Sequence, residues 1–324
     1  MRLVQYSQTK IALGGDITLT IVSGNSATEL NKLFTVLWHY IYVFERSFSR
    51  FVPISELSLF NRSAGLQTSI TSEFKQLLMA AKDIGNQTGG LYNPFILPAL
   101  QRAGYKKSAV PGYEMDAVDD YSHRRVEPVD QLKIGDTWAS VPPNTAIDMG
   151  GCGKGYLADK LGQLLVGSGF TNYRLSLGGD IVTLGSDENG QNWKINIQDA
   201  NNLRGQVDWV IRCPTEHFAI ATSGTFRRQG QTIDRAWHHI IDPITLQPAK
   251  TDIRLATVCA DTALVADVLA SCAVIIGSQD GMVFLKKQRA RATLLQGQDE
   301  TGVLKKHFGR YIIKESKAED LKSA

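Results

Sequence analysis

The chain has no CxxC cysteine pair, no marked charge excess and no recognisable secretory leader, and each absence removes a class of function. Its four cysteines, Cys152, Cys213, Cys259 and Cys272, are scattered, and no Cys/His group has the spacing of a zinc site. Free, buried thiols in a reducing compartment are therefore expected. Lysine and arginine number 35 against 32 aspartates and glutamates, a net charge of +3 that is too small to argue for nucleic acid or an anionic membrane. The basic clusters, such as Lys286-Lys287 with Arg289 and Arg291, are short and read as solvated faces. The opening MRLVQYSQTKIALGGD contains neither the apolar stretch of a signal peptide nor a lipidation cysteine. No apolar run is expected to span a bilayer. The expectation is a cytoplasmic protein with no membrane anchor.

Two phosphate-binding fingerprints are also missing. The stretch IDMGGCGKGYLADKL, residues 147 to 161, is glycine-rich and carries Lys154. Aligned on Gly153-Lys154 with the pattern G-x-x-x-x-G-K-[ST], the first glycine falls on Asp148 and the hydroxyl position on Gly155. The dinucleotide pattern G-x-G-x-x-G ends on Tyr156. What remains is general: glycines let a backbone approach a ligand, and the N–H groups of a helix start attract anions. A tight turn bearing a surface lysine fits the spacing equally well.

What is present is an ordinary globular composition, with 43% hydrophobic and 21% charged residues, enough for a sizeable core. Ile17 to Ile21 alternate as a strand. Ser26 and Glu29 form a capping box ahead of Leu30, Leu33, Phe34, Leu37, Ile41 and Phe44, which share one helical face. FSRFVPISELSLFNRSAG reads as a loop. Phe74, Leu77, Leu78, Ala81 and Ile84 predict a second helix that stops at Gly89-Gly90. Residues 104–146 read as an irregular excursion with short strands. Leu157, Leu161, Leu164 and Leu165 place a helix directly after the glycine stretch. Short strands are predicted at 173–176, 181–184, 193–197, 208–212 and 217–221, a long helix at 262–276 ending at Gly277, and a closing hairpin from 292–295 and 303–307. Residues 314–324 read as a frayed tail. With strands and helices mixed without regular alternation, the fold class expected is α+β, with mainly antiparallel sheets and packed helices. No internal repeat and no linker divides the chain.

Three places carry candidate chemistry. In DTALVADVLASCAVIIG, Asp267 and Ser271 share a helical face inside an apolar run. Such a carboxylate is either at a solvent-facing edge, paired with an arginine, or a ligand for a hard divalent cation such as magnesium. In AWHHIIDPITLQP, His238 and His239 precede an Asp-Pro turn, and a histidine there is either a packed, hydrogen-bonded side chain or a general base. Thr222, Ser223 and Asp180 stand at strand-to-turn junctions, as ligands or as turn formers.

The ordered blocks FSRFVPISELSLFN, GGLYNPF, IDMGGCGKGYLADKL, SLGGDIVTLG, IATSG, HHIIDP and ADVLASCAVIIG resemble those of the FAD:protein FMN transferases, the ApbE-type flavin transferases, from about Leu13 to Gly277. The resemblance implies one domain over 1–313 with FAD in a cleft between subdomains and Mg2+ beside its pyrophosphate. It implies transfer of the FMN half of FAD to a Thr or Ser hydroxyl of an acceptor flavoprotein, with release of AMP. Carried over, Asp267, Ser271 and the Gly151 carbonyl are the metal ligands, and His239 with Asp267 is catalytic. FAD contacts fall on Leu13, Phe51, Leu91, Tyr92, Asn93, Asp148, Lys154, His239 and Ile240. The chain departs from the family pattern at Asn93 (an Asp is usual), Ser271 (Thr), Ala270 (a carboxylate in some members), Leu246 (Gly) and Gly153 (a small side chain). FAD hydrolysis to FMN and AMP, or FAD binding without catalysis, are the alternatives that the same residues allow.

Overall fold

The computed structural model describes residues 3–108, 119–201, 209–226, 228–231, 236–300 and 302–314. Asp208, part of the 104–146 excursion and the tail beyond residue 314 lie outside them. Six α-helices are described: α1 (Ala27–Phe48), α2 (Glu56–Arg62), α3 (Ser72–Gln87), α4 (Leu97–Ala103), α5 (Gly153–Gly167) and α6 (Ala263–Lys287). The strands in the first half of the chain are β1 (Val4–Ala12), β2 (Gly15–Ser23), β3 (Thr68–Ser69), β4 (Lys133–Ile134) and β5 (Trp138–Ser140). Then come β6 (Tyr173–Leu177), β7 (Asp180–Leu184), β8 (Lys194–Ile197), β9 (Trp209–Arg212), β10 (Phe218–Gly224), β11 (Gln229–Gln231) and β12 (Ala236–His238). The last four are β13 (Ile253–Ala260), β14 (Ala292–Asp299), β15 (Gly302–Phe308) and β16 (Ile312–Lys314).

Eight strands form one sheet in the order β1-β2-β6-β7-β10-β13-β14-β15, and every neighbouring pair is antiparallel. The α+β expectation holds. Period-two alternation gives the sheet two apolar faces. On one, Ile17, Leu19, Ile21, Leu175, Leu177 and Val182 pack with α1, α3 and α5. On the other, Phe218 and Ile220 pack with Ile195, Ile197 and Ile211 of a small β16-β9-β8 sheet. β10 shows the split within one strand, since Ala219 joins the helix-side core while Phe218 and Ile220 join the other.

The helices that the sequence predicts begin where it says they should. The Ser26/Glu29 capping box is complete, and α1 buries Leu30, Phe34, Leu37, Trp38, Ile41, Phe44 and Phe48. Three expectations change, and one at Gly277 holds. The FSRFVPISELSLFNRSAG stretch is not all loop: Ser55 accepts from the Ser58 amide and starts α2, which buries Leu57 and Phe60. β1 and β13 were not predicted. β1 is a polar edge strand, and β13 is continuous with an apolar run that hides its period. The first helical stretch of α6 breaks at Gly277, as the sequence predicts. That residue takes φ 82°, which its missing Cβ permits, and helical geometry resumes to Lys287. Asp252 receives the new turn, with the Ser278 N–H donating to Oδ1 (2.9 Å) and the Ser278 hydroxyl to Oδ2 (2.6 Å). Finally, α6 is long and apolar enough to cross a membrane by length and composition, contrary to expectation. Here it packs against β10, β13 and α5, so its apolar surface closes the core. All four cysteines are free and buried, as expected.

Candidate functional site

The glycine stretch opens α5, with Cys152 at the N-cap and no side chain capping the first turn. A helix start left in that state presents backbone N–H groups and the positive end of the helix dipole. Its neighbour is the start of α6. A Cβ on Gly155 would lie 2.5 Å from the Ala263 carbonyl oxygen, so the hydroxyl that follows lysine in other phosphate loops has no room here. Asp159, on the next turn of α5, clamps the two helices. Its carboxylate accepts from the Ala263 N–H (2.8 Å) and the Leu264 N–H (3.0 Å). This clamp carries Asp267 up to Lys154.

Lys154 Nζ donates to Asp180, which the Gly178-Gly179 turn delivers, and lies 3.5 Å from Asp267 Oδ2. Two buried carboxylates thus face one ammonium group. Burial alone would lower the Lys154 pKa, but Asp180 and Asp267 outweigh it and hold it above its ordinary value. Asp267 is pushed up to about 7, first by burial and then by the Asp180 charge. Asp267 Oδ2 is buried and makes no hydrogen bond among the described residues. A buried acceptor in that state, beside a second carboxylate, is a place where a cation would be stabilised. Ser271 follows one turn later, its Oγ 2.8 Å from Ser223 Oγ. No group of three or more His, Cys, Asp or Glu side chains placed to hold a metal ion occurs among the described residues. A divalent ion would therefore rest on one carboxylate, neutral oxygens and oxygens of a bound ligand, a set that suits magnesium.

Every residue that the family resemblance assigns lines one cavity of about 1260 Å³: Leu13, Phe51, Leu91, Tyr92, Asn93, Asp148, Gly151, Lys154, His239, Ile240, Asp267 and Ser271. Leu13 stands in the β1–β2 turn at φ 53°, where its N–H donates to Glu45 Oε1 at 2.8 Å. Tyr92 packs beside Gly151 and donates to Cys152 Sγ (2.9 Å). Burial pushes the Cys152 thiol up to about 12, so it stays protonated. Asn93 accepts from the Phe95 N–H and donates to the Glu127 carbonyl at 2.8 Å. An ionised aspartate could not make the second bond, which gives this departure from the family pattern a local reason.

The two histidines separate. His238 Nε2 is 3.1 Å from the Ala249 carbonyl, whereas His239 lines the cavity. The His239 N–H donates to the Arg228 carbonyl, and its ring Nδ1 has no partner among the described residues. Burial, then the positive charge of Arg228, pushes its pKa down to about 3, so the ring is neutral near pH 7. The sequence reading missed Arg50, which lines the cavity between Phe51 and Tyr105 with its Nε 3.7 Å from Asp148 Oδ1. It also missed Arg228 and the Asp159 clamp. Arg50, next to Phe51 in a quoted block, had a signal; Asp159 lies in the glycine block but shows its role only when α6 is placed.

A sequence model of the ApbE family matches residues 13–295. A relative from Treponema pallidum named FAD:protein FMN transferase is 25% identical over 301 residues, covering 88% of this chain and 83% of its own. A Vibrio cholerae relative of the same name is 25% identical over 248 residues, covering 76% and 74%. Among solved structures, the flavin transferase ApbE of Vibrio cholerae superposes with a TM-score of 0.78 at 22% identity, covering 94% of this chain and 97% of that one. The apo flavinyl transferase ApbE of Pseudomonas stutzeri gives 0.79 at 20% identity, covering 95% of each.

Proposed function

The chain belongs to the ApbE family, and from that premise we propose that it is an FAD:protein FMN transferase that moves the FMN half of FAD to a Thr or Ser hydroxyl of an acceptor flavoprotein and releases AMP. The observation that carries this reading is the meeting of Lys154 and Asp267 at 3.5 Å, in one cavity, at an uncapped helix start. In this reading the pyrophosphate lies at the start of α5, where backbone N–H groups and Lys154 receive its charge. Asp267, Ser271 and the Gly151 carbonyl would hold Mg2+, which would offset the remaining charge of the pyrophosphate and of the transition state. Leu13, Phe51, Leu91, Tyr92, Asn93, Asp148 and Ile240 line the rest of the FAD site. His239 Nδ1 or Nε2 accepts the proton of the acceptor hydroxyl. That oxygen forms a bond to the phosphorus on the riboflavin side while the bond to the bridging oxygen breaks and AMP leaves. Orientation and charge stabilisation supply the acceleration, as in other phosphoryl-group transfers.

The test is incubation with FAD, Mg2+ and a candidate acceptor, read as flavin fluorescence on the denatured acceptor in a gel. Signal is expected for the wild type and lost in Asp267→Ala and His239→Ala. Undiminished labelling by Asp267→Ala would overturn the metal assignment. AMP release at full rate without any acceptor would replace transfer by hydrolysis.

A further inference from the structure

Resting on the metal-assisted reading above, we propose that Ser223 is a positioning residue for Ser271: it takes the proton of the Ser271 hydroxyl in a hydrogen bond, leaving that oxygen's lone pair free for a divalent cation. The placement follows from strand parity. In β10, Ala219 faces the helices, while Phe218 and Ile220 face the small second sheet. Ser223 falls in the series of Ala219 and Ala221, on the side over which α6 runs. Its Oγ meets Ser271 Oγ at 2.8 Å, and both residues line the cavity. Thr222 points to the opposite face, where its hydroxyl is 2.9 Å from Thr257 Oγ1, so it cannot substitute.

Ser271 needs such a partner for two reasons. A serine hydroxyl carries one proton and two lone pairs, so a serine that ligates a cation must direct its proton elsewhere. Inside a helix, a serine can also turn back to the carbonyl four residues earlier, here Asp267, which would aim the proton along the helix rather than across to β10. Serine lacks the second Cβ substituent that narrows the rotamers of threonine. Ser223 supplies from β10 the restraint that the Ser271 side chain does not have in itself, in the manner of outer partners that orient metal ligands.

The experiment compares wild type, Ser223→Ala, Ser223→Thr and the double variant Ser223→Ala/Ser271→Thr. Mg2+ is titrated into each protein saturated with FAD, by calorimetry, and the melting temperature of each ligand-free protein is recorded alongside. Ser223→Ala is expected to weaken Mg2+ binding about 10- to 100-fold, with ligand-free melting close to wild type. Ser223→Thr, which keeps the hydroxyl, binds as wild type. The double variant recovers most of the loss, because the threonine β-branch restrains the hydroxyl without help. A Mg2+-dependent wild type with an unaffected Ser223→Ala, or a Ser223→Ala loss accompanied by an equal fall in ligand-free stability and not recovered in the double variant, overturns this inference alone. A wild type indifferent to Mg2+ overturns the metal reading and this inference with it.

Discussion

Asp267 and His239 respond to burial in opposite ways, and that opposition is measurable. The folded Asp267 carboxyl titrates near 7, above its unfolded value, so the folded state binds the extra proton. Stability from this group is present below about pH 4 and is lost as pH rises toward 7. The folded His239 ring titrates near 3, below its unfolded value of about 6.5. Here the unfolded state binds the extra proton, so stability is present above about pH 6.5 and is lost as pH falls toward 3. In the wild type the two slopes offset each other between about pH 4 and 6.5. Asp267→Asn is expected to leave Lys154 paired with Asp180. It should raise ligand-free stability by about 1–2 kcal/mol at pH 8, with the gain shrinking toward pH 4 and transfer activity lost. His239→Gln should make stability fall more steeply with rising pH across the same window. Denaturant melts of the three proteins at pH 4.5, 6 and 8 check both, and parallel pH profiles for all three would refute the assignment of these shifts.

At the scale of elements, α5 and α6 are the two described helices that pack most extensively on each other. Gly155→Ser would rebuild the Gly-Lys-Ser of a common phosphate loop, yet Cβ at that position lies 2.5 Å from the Ala263 carbonyl. The variant is expected to lose about 1–3 kcal/mol of stability and to bind FAD more weakly. Unchanged melting and FAD affinity would show that the helices have slack there. Removing the clamp by Asp159→Ala should cost about 1–2 kcal/mol through the freed α6 amides. Much at this scale was legible in the sequence. The Ser26/Glu29 box, the α3 stripe and the α5 start are local signals, and the structure keeps them. α2 was hidden because Pro53 and the serines around it look like a loop, and Ser55 acts as a cap only once Leu57 and Phe60 find a core. β13 was hidden because a fully buried strand shows no alternation, and β1 because a sheet edge carries polar residues.

The order of the eight-stranded sheet is a property of the whole molecule, and no local pattern contains it. β7 pairs with β10 and not with β8, which leaves to join β9 and β16. The candidate residues other than Leu13 lie in seven ordered blocks that the sequence displays, whereas the charges around them in the fold show no such pattern. Arg228 reaches His239 through the fold, and Asp180 meets Lys154 only when the β6–β7 turn is laid beside α5. The cavity is built from the β1–β2 turn, the end of α1, the start of α5, the segment after β12 and the first half of α6, so a ligand there ties both halves of the chain together. Binding to the folded state alone at a hundredfold excess over Kd adds about 2.7 kcal/mol. For a chain of this size that is roughly a 5 °C rise in melting temperature. The full rise is expected with FAD and Mg2+ together. FAD alone should give less, because the second carboxylate facing Lys154 then stays uncompensated beside an anionic pyrophosphate. Lys154→Ala should abolish the FAD shift with or without the ion. Thermal melts of both proteins with FAD, Mg2+ and the pair decide it: an FAD shift that Lys154→Ala preserves would remove the pyrophosphate from the start of α5.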